Sequence, residues 1–252
     1  MFGGSYSSVY GGNFTNTIYH TRPSLAGKLM IIDSHLLPLK LMHNEKGIDR
    51  LMEAVSPNAF YDSDNRPDPP KCHPKTRVAV IEKISDWATG KIDTNAFMLW
   101  LYGPAGAGKT AIARNVAELF AENGLLLASF LFFRSDSQRN TMKPLVANIA
   151  YRITSVIPEA REPINAIIEA DPLILLSSVE TQLKKLVFQP LRRLVDQGYF
   201  SNRHFPPLIV IDGLDECLDK DSQSNLVKLL SASVARYQLP IKFLIEIGRA
   251  HV

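Results

Sequence analysis

The 252-residue chain has few cysteines: Cys72 and Cys217 make neither a C-x-x-C pair nor a disulfide framework. Long apolar runs are missing as well. The longest, about Leu125–Phe133, is strand-sized and far short of the ~20 residues of a membrane-spanning helix. The opening Met1-Phe-Gly-Gly-Ser-Tyr-Ser-Ser lacks the basic and then apolar stretches of a secretory signal. Neither charge sign dominates, since 28 Lys+Arg against 25 Asp+Glu leave +3, too little and too evenly spread to argue for nucleic acid. The six histidines show no H-E-x-x-H or other metal spacing, and no G-x-S-x-G elbow or internal repeat is present. These absences predict a cytoplasmic protein with neither membrane nor nucleic acid among its partners.

What is present is close to the globular average, with 46% hydrophobic, 21% charged and 9% aromatic residues. That composition excludes wholesale disorder, collagen and coiled coil. The length allows one large domain or two small ones, burying roughly 70–75% of the unfolded surface.

Residues 1–22, with Gly3-Gly4 and Gly11-Gly12, read as a disordered Gly/Ser/Asn-rich leader. Residues 23–75 read as apolar clusters interrupted by Pro38, a short helix over Gly47–Val55, then a Pro-rich linker or wrapped arm from Ser56 to Lys75. From Thr76, taken as an N-cap, the pattern alternates. Val80, Ile84, Trp87 and Ala88 have helix spacing, and Phe97–Tyr102 is a continuous apolar run of strand length. Ile112, Val116, Leu119 and Phe120 form a second helical face, ended by Asn123-Gly124. Leu125–Phe133 is a second strand, and Met142, Leu145, Val146, Ile149 and Ile153 mark the next helix. Helices over about Glu159–Ala170 and Val179–Asp196 follow, then a strand at Pro207–Asp212. A helix facing inward through Leu226, Leu229, Leu230, Val234 and Tyr237 precedes a fourth strand at Ile241–Ile245. Apolar strands alternating with helices predict an α/β fold with a mainly parallel sheet covered on both faces, over residues 76–245.

Gly103-Pro-Ala-Gly-Ala-Gly-Lys-Thr110 matches G-x-x-x-x-G-K-[ST] at every fixed position. A chance match in a chain of this size is roughly a one-in-a-hundred event, and this one follows a predicted strand and opens a predicted helix. Gly103, Gly106 and Gly108 let the backbone curl so that N–H groups converge on phosphate oxygens. The phosphate-binding set is therefore Gly103, Pro104, Ala105, Gly106, Ala107, Gly108, Lys109, Thr110 and Ala111, with the helix N-terminus adding partial positive charge. Lys109 is placed to reach the β- and γ-phosphates, and the Thr110 hydroxyl to ligate Mg²⁺.

Leu208-Ile-Val-Ile-Asp212-Gly-Leu-Asp215-Glu216 supplies the second element. An apolar run ending in Asp puts that carboxylate at the C-terminal edge of a buried strand, where open α/β sheets bind ligands. Asp212 is the expected Mg²⁺ partner of Thr110, and Asp215 or Glu216 is placed to orient or deprotonate a water. The alternative is that these acids cap the helix after residue 220. Arg134 and Arg139, in the loop after the second strand, either sense a γ-phosphate or belong to a solvated loop. Lys184, Lys185, Arg192 and Arg193 read as a solvated helix face, and Cys217 as a small core residue.

Together, the strand Phe97–Tyr102, the loop Gly103–Thr110 and the D-G-L-D-E run Asp212–Glu216 resemble the NACHT class of STAND P-loop NTPases. Ser56-Pro-Asn-Ala-Phe, Pro69-Pro-Lys-Cys-His-Pro-Lys-Thr-Arg77 and Ser129–Arg139 are similar to its fungal, nephrocystin-like set, in which C-x-P-G-T-R is usual and Lys75 stands where Gly is typical. The resemblance covers about residues 56–245 and implies a three-layer α/β/α P-loop fold. It further implies a switch that binds ATP, or GTP, with Mg²⁺ and hydrolyses it slowly. In the family such a switch self-associates and couples to effector and sensor domains in signalling or self/non-self recognition. No N-K-x-D guanine motif is present, which favours ATP.

The end of the chain departs from the family pattern. Where Thr/Ser-Ser-Arg-Pro is usual, it reads Glu246-Ile-Gly-Arg-Ala-His-Val252, with Arg249 one position out of register. Glu246–Val252 look like adapter read-through on a truncated gene product, which predicts a poorly packed, non-native tail. A non-hydrolysing nucleotide-binding fragment or scaffold is the alternative function, and a P-loop small-molecule kinase a third.

Overall fold

The computed structural model describes residues 47–64, 77–201 and 205–248, all within one compact unit. The leader at 1–22, Pro38, Cys72, Thr76 and Arg249 lie outside the described residues.

Four strands form one sheet: β1 (Met98–Gly103), β2 (Leu126–Leu131), β3 (Leu208–Asp212) and β4 (Lys242–Gly248). All pairings are parallel, in the order β1-β4-β3-β2. In β3, Leu208 and Val210 point to one side and Ile209 and Ile211 to the other, so both faces need cover. On the first face lie α2 (Val78–Ala88) and α3 (Lys109–Glu122), which bring Ile84, Trp87, Ile112, Val116 and Phe120 onto Leu101, Leu208, Val210 and Leu244. On the second lie α1 (residues 47–53), α4 (Lys143–Val156), α5 (Arg161–Ala170), α6 (Val179–Gln182), α7 (Gln189–Asp196) and α8 (Lys220–Tyr237). The result is a three-layer α/β/α fold.

Several elements differ from their sequence readings. Helix α2 starts one residue later than a Thr76 cap predicts. Arg77 holds the cap position with φ 63° and its carbonyl accepts from the Val80 and Ile81 N–H groups. Leu119 is exposed, because the buried face of α3 runs through Ile112, Ala113, Val116, Ala117 and Phe120. The single helix expected over Val179–Asp196 is α6 and α7 joined by a π-helical segment, Leu183–Phe188. Pro190 has no N–H to donate and its ring crowds the carbonyl four residues back; the wider segment before it absorbs both.

The residues before the alternating pattern belong to the core. Ile48, Leu51 and Ala59 are buried in the larger cluster, so residues 47–64 form an arm packed on the core, while 65–75 of the Pro-rich stretch read as a linker or wrapped arm lie outside the described residues. Two asparagines fasten it. Asn148 accepts from the Ser56 N–H at 2.8 Å and donates to its carbonyl at 2.7 Å, and Asn165 accepts from the Ile48 N–H at 3.1 Å. Prolines did not exclude order there, as Pro57–Ala59 form a 3₁₀ turn.

The sheet is not covered everywhere. Trp100 and Tyr102 of β1 are 39% and 65% exposed. Nor does β4 end at Ile245. It runs to Gly248, pairing Glu246, Ile247 and Gly248 with Leu101, Tyr102 and Gly103. The poor packing predicted for the tail is therefore wrong for Glu246–Gly248, because the outward neighbour β1 offers a continuous ladder of backbone groups at those positions.

Candidate functional site

The loop Gly103–Thr110 joins the C-terminal end of β1 to the first turn of α3. Gly106 and Gly108 adopt φ 76° and 80°. A Cβ at either would meet nothing within 4 Å, so the demand for glycine there is conformational rather than steric. Gly108 is also the N-cap of α3, with no side chain covering the first N–H groups. That leaves the helix end open to an anion. Lys109 and Thr110, the first residues of α3, are half-buried.

Asp212 ends β3 and is 2% exposed. The chain turns at Gly213, φ 68°, where a Cβ would sit 3.3 Å from the Phe132 carbonyl oxygen. A 3₁₀ turn, Leu214–Glu216, then carries Asp215 and Glu216. Neither of these acids caps α8. That role belongs to Asp219, which accepts from the Asp221 and Ser222 N–H groups and whose carboxyl the Ser222 hydrogen bonds hold below the usual range. The signal was in the sequence, as an Asp directly before the helix.

Strand order brings the two elements together. β4 lies between β1 and β3, so its end separates the loop from Asp212. Glu246 fills that gap. Its Oε1 lies 3.2 Å from Lys109 Nζ, and its Oε2 accepts from the Gly213 N–H at 2.8 Å. Burial pushes the Glu246 carboxyl up, while the Gly213 N–H and Lys109 pull it back. Lys109 Nζ also donates to the Pro104 carbonyl at 3.4 Å. Sequence reasoning missed this partner because Glu246 had been assigned to a tail.

The two candidate bases are held differently. Asp215 Oδ1 accepts from the Gly248 N–H at 2.7 Å, beside the loop, whereas Glu216 Oε2 accepts from the Arg134 N–H at 2.9 Å. The Arg134 guanidinium donates to the Asp215 carbonyl at 2.8 Å. Arg139 is neither solvated nor turned toward the loop: it is buried, pairs with Asp136 at 2.8 Å and lies over the Phe133 ring. The loop after β2 thus clasps the acidic turn. Of the basic stripe, Lys185 pairs with Asp171 and Arg192 with Asp196, while Lys184 and Arg193 are exposed. Cys217 is buried, and burial pushes its thiol up, away from thiolate chemistry.

The profile of a family described as nephrocystin 3, N-terminal, matches residues 79–246, two thirds of the chain. The chain belongs to that family. The match takes in β1 to β3, β4 as far as Glu246 and both elements of the site, and leaves the arm at 47–64 outside it. No curated protein and no solved structure matches the chain. Among the described residues of this family member, no three His, Cys, Asp or Glu side chains cluster as a metal site, and no helix is long and apolar enough to cross a membrane.

Proposed function

We propose that the chain is a NACHT/STAND-type P-loop switch that binds a nucleoside triphosphate, ATP rather than GTP, together with Mg²⁺. The observation that carries this reading is the glycine loop with its two left-handed turns, ending at the uncapped first turn of α3, one strand away from the buried Asp212. Backbone N–H groups from Gly103 to Ala111 would take phosphate oxygens, and Lys109 the terminal phosphates. The Thr110 hydroxyl and Asp212 carboxylate are hard oxygen donors that suit Mg²⁺. The ion would arrive with the phosphates, whose charge it would neutralise.

Asp215 or Glu216 would position the attacking water, Asp215 being the one beside the loop. Slow hydrolysis would release the segments after β2 and β3, which Arg134 ties together. Self-association and coupling to effector and sensor domains in signalling complete the proposal. The alternative is a module that binds nucleotide without hydrolysing it. Phosphate release separates the two readings. The switch predicts slow release from Mg·ATP, lowered in Asp215→Asn or Glu216→Gln with binding retained; no release from the unmodified chain would leave the binding module.

A further inference from the structure

Three acids stand at the gap between the glycine loop and β3. Asp212 ends β3, and Glu246 lies in β4, the strand between β3 and the loop. Asp215 is held there by the Gly248 N–H at 2.7 Å and adds to burial in pushing the Glu246 carboxyl up. Lys109 reaches into this gap, and its Nζ has a partner on each side. One is the Pro104 carbonyl at 3.4 Å, within the loop; the other is Glu246 Oε1 at 3.2 Å, beyond it. Glu246 is fixed in that position. It is 4% exposed, and its second oxygen accepts from the buried Gly213 N–H at 2.8 Å, which would lose its partner if the side chain swung away. The two arginines after β2 are turned elsewhere, Arg134 to the Asp215 carbonyl and Arg139 to Asp136.

We propose that Glu246 makes this site select a nucleoside diphosphate over the triphosphate. The proposal rests on the reading of Gly103–Ala111 as a nucleotide site and names the phosphate chain that the site prefers. In such a loop the backbone N–H groups cradle the first two phosphates, and the third lies outside the cradle, on the lysine's far side. That far side of Lys109 is where Glu246 stands. ADP can take the loop N–H groups and leave the Lys109–Glu246 pair standing. The third phosphate of ATP has to draw Lys109 from a carboxylate that stays in place, and then lies against that carboxylate and Asp215. Like charges at such range repel far more strongly in a largely buried site than in water. Thr110 and Asp212 would hold Mg²⁺ with either nucleotide, so the difference between the two falls on Glu246.

The test is isothermal titration of the full chain, with Mg²⁺ present, against ADP and against the non-hydrolysable β,γ-methylene analogue of ATP. The unmodified chain should bind ADP about tenfold tighter than the analogue, a comparison that needs no variant. Glu246→Gln keeps the shape of the side chain and removes its charge. It should tighten the analogue by about tenfold and ADP by less, closing the gap between them, with an unchanged circular dichroism spectrum. Equal affinities in the unmodified chain, or a gap of the same size in Glu246→Gln, would overturn the selectivity and leave the nucleotide site standing. Binding of neither nucleotide would overturn the nucleotide reading, and the selectivity with it.

Discussion

Lys109 and Glu246 form an ion pair between two largely buried side chains, 3.2 Å apart, and the same carboxylate holds the backbone of Gly213. One side chain therefore links the head of the glycine loop to the residue that follows Asp212. Glu246 stands where Lys109 would meet the negative charge of a phosphate. Any anion entering the loop has to compete with it.

Replacing Glu246 with Gln keeps the shape and the Gly213 contact but removes that competing charge. Nucleotide affinity should rise by about tenfold, equivalent to ~1.4 kcal/mol, measured by isothermal titration with Mg·ATP. An unchanged affinity would show that Lys109 reaches the phosphates without leaving its partner.

The same residue sets a pH dependence. Burial raises the Glu246 carboxyl, so the native state keeps a proton that the unfolded chain releases. Its contribution to stability is present in full below the ordinary carboxylate range and is lost as pH rises through the raised value. Urea unfolding from pH 4 upward should show this fall in the unmodified chain and a shallower one in Glu246→Gln. Equal slopes would contradict it.

Gly213 is the turn that positions both Asp212 and the Glu246 contact. Alanine there would hold a left-handed φ of 68° and press on the Phe132 carbonyl. A loss of about 1–2 kcal/mol is expected from the backbone conformation alone, read as a lower urea midpoint. Nucleotide affinity should fall with it, because the displaced turn no longer holds Asp212 in place.

Asn148 fastens the arm through two buried hydrogen bonds to Ser56. Asn148→Leu leaves the Ser56 N–H buried without a partner, while its carbonyl keeps the Ala59 N–H, at about 1–3 kcal/mol for the one lost partner. Equilibrium unfolding checks this, and a loss under 1 kcal/mol would mean that water satisfies the Ser56 N–H.

These residues also show what could be read from the sequence. The strands, Lys109 and Asp212 are legible because each rests on a local pattern: an apolar run, a fixed glycine spacing, an acid closing a strand. Glu246 is not, since its role depends on β4 lying between β1 and β3, which no local pattern encodes. Asn148 and Asn165 look like ordinary polar helix residues until the arm folds over them. Trp100 and Tyr102 read as buried because an apolar run in an edge strand is indistinguishable from one in a central strand. The expectation of a loose tail concealed Glu246, the residue that joins the loop to the acidic run.

The most direct test is the melting temperature of the chain with and without Mg·ATP, run beside Lys109→Ala. A ligand bound only to the folded state adds about 2.7 kcal/mol at a hundredfold excess over Kd. A clear rise that disappears in Lys109→Ala is the predicted result. No rise in the folded chain, or an equal rise in the variant, would contradict a phosphate site at Gly103–Ala111.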